Sequence, residues 1–214
     1  MSKQINLAGQ PSSGWRPLFA LEGPSGSGKS TLLSHVGVIL SKLKMAHTIV
    51  SNNGVGDWEP VIRGLANSKT QALTLAFATA AARSHIRETV TDGFVVSDRF
   101  VLSGLVCQVY AGIHIDTIYA INRPLLAGVT TILLEIGEDE LKKRRQARGL
   151  ADTDWYKQSM TVSEELHLYT SAAEKLQAAG HRIIRLPASN DPEALAQRVV
   201  TQIYQSLDND EKSF

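Results

Sequence analysis

The stretch that decides the fold reads Gly23-Pro24-Ser25-Gly26-Ser27-Gly28-Lys29-Ser30-Thr31. It follows the pattern G-x-x-x-x-G-K-S, in which glycines let backbone N–H groups turn inward around phosphate oxygens. A short apolar run at 17–21 precedes it and predicts a buried strand, and apolar residues at helical spacing over 30–44 follow it and predict a helix. Because the N-terminus of a helix attracts anions, the sequence predicts a phosphate-binding loop, or P-loop, that takes a nucleoside triphosphate.

Two residues of the P-loop have expected roles in holding ATP and Mg²⁺. Lys29 would reach the β- and γ-phosphates, and the Ser30 hydroxyl would hold the metal ion. The predicted ATP-binding residues of the loop are Gly23, Pro24, Ser25, Gly26, Ser27, Gly28, Lys29, Ser30 and Thr31. ATP and Mg²⁺ are therefore the expected cofactors.

Composition restricts the class of protein and its partners. The chain has 214 residues, of which 43% are hydrophobic and 20% charged, which suits one α/β domain with a sizeable core. A net charge of +1 gives no general attraction to nucleic acid, and no apolar run has the length of a membrane span. The single cysteine, Cys107, and a polar N-terminal stretch favour a cytoplasmic protein. We therefore expect neither a nucleic-acid nor a membrane partner.

Strand and helix patterns alternate along the chain. Such alternation predicts an α/β fold of the P-loop NTPase type, with a parallel sheet, helices on both faces and a small mobile lid. The predicted strands after the first lie at 46–50, 94–96, 129–136 and 182–186, a buried alanine-rich helix at 68–90, a loop at 52–60 and a final helix at 192–207. The predicted organisation is a flexible leader at 1–16, the domain at 17–207 with its lid at about 141–156, and a flexible tail at 208–214.

A second pattern, Asp98-Arg99, follows the apolar strand at 94–96. Ligands of parallel sheets bind at the carboxyl ends of strands, where the P-loop also lies. A carboxylate there suits Mg²⁺ or the orientation of an acceptor, and an arginine can grip a phosphate with two hydrogen bonds. A surface ion pair that closes the strand is the structural alternative.

A third pattern is the basic run Leu141-Lys142-Lys143-Arg144-Arg145-Gln146-Ala147-Arg148-Gly149, which follows Glu138-Asp139-Glu140. Acidic residues at the start of a helix and basic residues at its end suit the helix dipole, which is a purely structural explanation. In the functional explanation the segment is a lid. Arg145 and Arg148, three residues apart on one helical face, would then neutralise the transferring phosphoryl group. The flanking acids argue against a nucleic-acid patch.

At these motifs the chain resembles thymidylate kinases, the P-loop nucleoside monophosphate kinases that phosphorylate dTMP. The resemblance covers about 19–207. It includes Asp98-Arg99-Phe100-Val101-Leu102-Ser103 with Gln108, the pair Ile62-Arg63, the lid pattern Arg145-x-x-Arg148-Gly149 with Asp152, and the late loop at 187–191. Arginines in the lid, with the uncharged Ser25 and Ser27 in the P-loop, resemble the bacterial arrangement.

The resemblance implies a site and an assembly. It implies that Lys29, Asp98, Arg99, Arg145 and Arg148 are catalytic, that Ser30 and Asp98 hold the metal, and that Arg144 and Ser189 join the ATP site. The implied acceptor site is formed by Trp58, Arg63, Arg83, Arg99, Ser103, Cys107 and Gln108. A homodimer through helices near 60–90 and 100–125 is also implied.

Departures from the family pattern fall on the acceptor side. Ser25 stands where the family usually has Asp, and 51–55 reads Ser-Asn-Asn-Gly-Val in place of Arg-Glu-Pro-Gly-Gly. Cys107 replaces a tyrosine that crowds the space of a ribose 2′-hydroxyl. The arginine that stacks on thymine has Arg83 as its nearest candidate, and only with a shifted alignment. ATP binding is thus expected to be kept while recognition of the acceptor is altered.

Several functions therefore stay open at this stage. The acceptor could be dTMP or a related nucleotide. It could instead be a nucleoside or another hydroxyl-bearing molecule, which would need Asp98 or Glu22 as a general base. A P-loop ATPase or switch that acts on a protein partner, or a scaffold that only binds ATP, are further alternatives. Cys107 itself is expected to be a small buried apolar residue or part of the acceptor wall, rather than a nucleophile.

Overall fold

The computed structural model describes residues 14–51, 58–68, 71–147 and 160–211. Its centre is a five-stranded sheet in the order β2-β3-β1-β4-β5, and all four strand pairs are parallel. The strands are β1 (Leu18–Glu22), β2 (His47–Ser51), β3 (Phe94–Asp98), β4 (Val129–Glu135) and β5 (Arg182–Pro187). The predicted parallel sheet is confirmed, and each predicted strand lies within two residues of its observed bounds.

Helices cover both faces of the sheet. They are α1 (Lys29–Lys42), α2 (Trp58–Asn67), α3 (Ala72–Thr89), α4 (Val101–Tyr110), α5 (Ile115–Asn122), α6 (Glu138–Ala147), α7 (Val162–Ala178) and α8 (Pro192–Glu211), with a 3₁₀ turn at Arg123–Leu126. Alternate residues of β1 point to opposite faces, since Leu18 and Ala20 join one apolar cluster while Phe19 and Leu21 join the other. Helices α3, α4, α5 and α7 cover the first cluster, and α1 and α8 cover the second. The predicted α/β class is therefore confirmed.

Two local predictions need correction. The predicted loop at 52–60 ends earlier, because Trp58 already begins α2. The predicted long helix at 68–90 is observed as α3, and its first half is not buried all round. Ala76 and Ala80 pack inward, whereas Leu73 and Phe77 keep 43% and 56% of their surface exposed. In this half of α3, small alanines let one face pack closely, and Leu73 and Phe77 lie on the exposed face.

The structure also describes contacts at the two ends of the predicted domain. Helix α8 continues to Glu211, beyond the expected end at Leu207. At the other end, the Trp15 ring lies 4.9 Å from the Arg87 guanidinium, and Arg16 Nε donates to Thr91 O at 2.7 Å. No helix within the described ranges is long and apolar enough to cross a membrane.

Candidate active site

The strand order brings the P-loop and Asp98 to the same edge of the sheet. β1 and β3 are neighbours, and Leu21 is paired with Asp98 in their register. The P-loop needs its glycines, since Gly23, Gly26 and Gly28 have φ values of 140°, 89° and 100°. A Cβ at Gly23 would lie 2.9 Å from Leu134 O. The backbone therefore takes a path here that larger residues could not follow without strain.

Lys29 is buried and folded back onto the P-loop. Its Nζ donates to Gly23 O and Pro24 O at 2.8 Å each, and to Ser27 Oγ at 3.3 Å. Burial, and after it the charge of Arg99, lowers the pKa of the Lys29 ammonium well below its ordinary value. An anionic ligand would reverse that effect, so this cation is placed to gain from a phosphate. Ser30 and Thr31 are exposed at the start of α1.

Glu22 ends β1 and holds the start of α4. Its fully buried carboxylate accepts from Phe100 N at 2.8 Å, from Ser103 N at 3.1 Å and from the Ser103 hydroxyl. These bonds satisfy N–H groups that the first turn of a helix leaves without partners. Glu22 therefore links the strand that carries the P-loop to the helix that carries the candidate acceptor residues.

Arg99 lies between the P-loop and α7. Its Nη1 donates to Gly23 O at 3.1 Å, to Ser103 Oγ at 3.2 Å and to the Tyr169 hydroxyl at 2.6 Å. Its backbone has φ of 68°, an uncommon value for a non-glycine residue and one that often occurs at functional sites. Burial raises the pKa of the Tyr169 hydroxyl, which therefore stays neutral. The arginine is held beside the P-loop by three oxygen atoms.

Arg145, on α6, reaches back to the P-loop together with a carboxylate from α7. Its Nε donates to Ser25 O at 3.0 Å, and its Nη2 forms an ion pair with Glu165. The other oxygen of Glu165 accepts from Ser25 N at 3.2 Å. One P-loop residue is thus bound through both its N–H and its carbonyl group.

The neighbouring Arg144 joins the P-loop to the late loop at 188–191. It donates to Ser27 O at 3.2 Å and to Asn190 Oδ1 at 2.7 Å, and its Nη2 lies 3.4 Å from Ser189 O. Its Nε also donates to Glu140 at 2.8 Å, one helical turn earlier. Arg148 and the rest of the predicted lid to residue 156 lie outside the described residues.

The candidate acceptor residues make different kinds of contact. The Arg63 side chain is 67% exposed and pairs with Glu59 at 2.7 Å, and the Trp58 ring lies 6.3 Å from the His85 ring. Gln108 is buried and donates to Thr79 Oγ1 at 3.0 Å. Its Oε1 has no hydrogen-bond partner among the described residues. A buried acceptor without a partner is costly, so a ligand that donates to it would gain.

Arg83 lies in the interior, between α3, α4 and α5. It is 1% exposed and donates to Asn122 Oδ1 at 2.7 Å. The Nη2 atom of Arg83 packs against Gly104. A Cβ at position 104 would lie only 2.5 Å from that nitrogen, so the guanidinium occupies space that a larger residue would fill. Burial lowers its pKa to about 10, which keeps it charged at neutral pH. The half-buried Cys107 lies close enough to this guanidinium for its charge to act on the pKa of Arg83.

Four predicted site cations therefore gather on the P-loop carbonyl groups, and two others do not. Lys29, Arg99, Arg144 and Arg145 all donate to P-loop oxygens. The described bonds of Arg63 and Arg83 lead to Glu59 and Asn122. Sequence reasoning missed Glu165 and Tyr169, which lie four residues apart on α7. That spacing on one helical face, beside the buried Ala172, Ala173 and Leu176, could have indicated that both are buried.

Comparison with known proteins agrees with this geometry. The thymidylate kinase family model matches residues 21–199. A thymidylate kinase of Bacillus velezensis is 30% identical over 210 residues, which cover 88% of this chain and 95% of that protein. One from Lactobacillus acidophilus is 30% identical over 88% of this chain and 94% of its own length, and a probable thymidylate kinase of Methanococcus maripaludis is 36% identical over 61% and 65%. The chain therefore belongs to the thymidylate kinase family and is a phosphotransferase of the nucleoside monophosphate kinase class.

Proposed function

We propose that this protein transfers the γ-phosphoryl group of ATP, bound with Mg²⁺, to the phosphate of dTMP. The observation that carries the proposal is the group of four cations on the P-loop, at the same sheet edge as Asp98. Phosphoryl transfer depends on positioning and on neutralising charge, and such a group supplies both. The names of these relatives support thymidylate as the acceptor.

On the ATP side, the cations at the P-loop would bind the phosphate groups of the nucleotide. Lys29 would turn from Gly23 O and Pro24 O to the β- and γ-phosphates, since these anions compensate its charge better than carbonyl dipoles do. Arg145 would neutralise the transferring group, and Arg148 remains a predicted second lid arginine. Arg144 would hold the lid helix near Ser189 and the adenine end of the nucleotide.

The residues predicted to hold Mg²⁺ have suitable chemistry. Ser30 offers an exposed hydroxyl at the start of α1, and Asp98 offers a half-buried carboxylate at the end of β3. Both are hard oxygen donors, which Mg²⁺ prefers. When bound, the ion would neutralise charge on the β- and γ-phosphates. The role of the chain is to keep the two oxygens at the same sheet edge as the P-loop.

On the acceptor side, Arg99 would hold the phosphate of dTMP, assisted by Arg63 after its exposed side chain leaves Glu59. Ser103 accepts a hydrogen bond from Arg99, and Gln108 Oε1, which has no partner in the part of the chain that the structure describes, would accept a hydrogen bond from the base. An acceptor phosphate is already ionised, so no strong general base is needed. Asp98 would orient the metal-bound water or the acceptor.

A hydroxyl acceptor is less well supported by the same contacts. Of the two candidate bases, Glu22 is fully buried and uses its carboxylate on three donors at the start of α4. Only Asp98 of that pair would be left to remove a proton. The positive charge of Arg99 favours an anionic acceptor.

The test is ADP release from ATP and Mg²⁺ with a panel of acceptors. The panel holds dTMP, the other deoxy- and ribonucleoside monophosphates, the matching nucleosides and a control without acceptor. We expect dTMP to stimulate release most strongly. Stronger stimulation by a nucleoside would contradict the proposal in favour of a hydroxyl acceptor, and turnover that is independent of acceptor would favour an ATPase.

We further propose that the enzyme is a cytoplasmic homodimer. Val61 on α2 and Leu73 and Phe77 on α3 are large exposed apolar residues on adjacent helices, within the region for which the family resemblance implies a dimer. Burying such side chains against a second copy would remove apolar surface from water. Sedimentation equilibrium should give twice the mass of one chain, and the single-chain mass at micromolar concentration would contradict the dimer.

A further inference from the structure

Glu165 belongs to a closed set of contacts that joins three parts of the molecule. Its two carboxylate oxygens bind Ser25 N on the P-loop and the Arg145 guanidinium on α6. Arg145 Nε in turn donates to Ser25 O at 3.0 Å. The side chains of Arg145 and Glu165 are only 11% and 5% exposed. The three residues therefore form a ring that water screens little.

This ring fixes two groups that phosphoryl transfer needs. The Ser25 residue is held through both its N–H and its carbonyl, so this turn of the P-loop cannot rotate without breaking a bond. The guanidinium is held with one nitrogen on Glu165 and another on the loop. A cation that is already in place need not reorganise when negative charge develops in the transition state. Such preorganisation is a main source of electrostatic catalysis.

The carboxylate is needed because the cation is almost buried. A buried arginine that loses a carboxylate partner is strongly disfavoured, so it tends to move toward water. Ser25 supplies no negative charge of its own at this place in the loop. Glu22, the other buried carboxylate close to the P-loop, is already bound to the start of α4. Among the described residues, Glu165 is therefore the carboxylate that pairs with Arg145.

We propose that Glu165 is a positioning residue that holds Arg145 and the Ser25 turn of the P-loop in the geometry for phosphoryl transfer. This inference rests on the proposed function, because it assigns Arg145 to the transferring group. Glu165 acts through Arg145 and touches neither nucleotide. Its removal should therefore affect the rate of transfer more than the binding of the acceptor.

The experiment is a double-mutant cycle with Glu165→Gln and Arg145→Ala. Glutamine keeps an oxygen for Ser25 N and removes the charge that holds Arg145. We expect kcat to fall about tenfold in Glu165→Gln and about a hundredfold in Arg145→Ala, with the KM of the acceptor changed less than about threefold. Because one residue acts through the other, the double variant should equal Arg145→Ala within about twofold.

Controls separate positioning from folding. Glu174→Gln removes an exposed carboxylate from the same helix and should leave kcat unchanged. Glu165→Asp keeps the charge and should recover part of the rate lost in Glu165→Gln, and all rates are compared at a temperature well below the thermal unfolding midpoint of each variant. Losses that multiply in the double variant, or an effect confined to the KM of the acceptor, would overturn the proposal.

The proposal can fail independently of the proposed function. ATP binding to each variant, measured by calorimetry without acceptor, forms a second cycle that needs no turnover. If no nucleoside monophosphate stimulates the wild-type protein, the proposed function fails. The coupling of Glu165 to Arg145 is then still expected as weaker ATP binding that is not additive, and additive binding losses would overturn it.

Discussion

The ATP side and the acceptor side of this site are held together in different ways. On the ATP side, the predicted cations donate to carbonyl groups of the P-loop, as Lys29 does to Gly23 O and Arg144 does to Ser27 O. On the acceptor side, Arg63 binds the side chain of Glu59, and Gln108 binds that of Thr79. A main-chain carbonyl stays available as a hydrogen-bond acceptor when side chains are substituted. A side-chain acceptor is lost when its own residue is substituted.

For this reason we expect substitutions to be tolerated more readily on the acceptor side than in the P-loop. A P-loop cation keeps its partner as long as the backbone keeps its path, and that path is fixed by glycines at positive φ. On the acceptor side, a side-chain contact depends on a pair of residues, so a substitution at one residue of the pair can be compensated by a substitution at the other. Arg83 and Gly104 are such a pair, because the arginine occupies the space that the glycine leaves.

The largest loss of activity is expected from Lys29→Ala, on the ATP side of the site. Without the ammonium the β- and γ-phosphates lose their buried cation, and we expect phosphoryl transfer to fall at least about 1,000-fold. Lys42→Ala, which removes an exposed cation from the end of the same helix, is the matched control and should retain wild-type turnover. Steady-state ADP release gives both numbers. A loss of only a few-fold in Lys29→Ala would show that the loop does not hold the triphosphate.

The ATP side could be predicted from sequence because its parts are local. The P-loop, Asp98-Arg99 and the basic end of α6 each follow a strand or occupy a helix that periodicity identifies. Parallel strands then bring their carboxyl ends to one edge without further information. The fold class and these positions follow from short-range patterns.

Glu165 and Tyr169 could not be predicted in that way. They bind Ser25 and Arg99 across separations of 140 and 70 residues, and nothing in the local sequence of α7 names those partners. The expected role of Arg83 depended on a shifted alignment, and the structure instead buries it against Asn122. Contacts of this kind depend on how whole helices pack.

Gly104→Ala should disturb the acceptor side of the site and leave the ATP side intact. The new Cβ would lie 2.5 Å from Arg83 Nη2, so the guanidinium must move from Asn122. We expect the free energy of unfolding to fall by about 1–2 kcal/mol, since a lost charged hydrogen bond outweighs the gain in helix propensity. Urea unfolding measures this loss. The KM of the acceptor should rise while that of ATP stays unchanged.

Gly64→Ala is the control for that substitution. Gly64 lies in α2, where a Cβ would meet nothing within 4 Å, so alanine should raise the free energy of unfolding by up to about 1 kcal/mol. Equal stabilisation by both substitutions would mean that Arg83 is not held against α4.

The smallest effect, and the most specific to the acceptor, is expected from Cys107→Tyr. Tyrosine is much larger than the half-buried Cys107, which lies at the position where we expect the sugar of the acceptor. We expect the ratio of kcat/KM for deoxy- over ribonucleoside monophosphates to rise about tenfold, which corresponds to the exclusion of one hydroxyl group. Cys107→Ala removes the thiol without filling the space and should leave the ratio unchanged. If Cys107→Tyr also leaves the ratio of kcat/KM unchanged, the sugar of the acceptor does not lie beside residue 107. The acceptor side would then differ from its family in the position of the substrate rather than in the shape of the pocket.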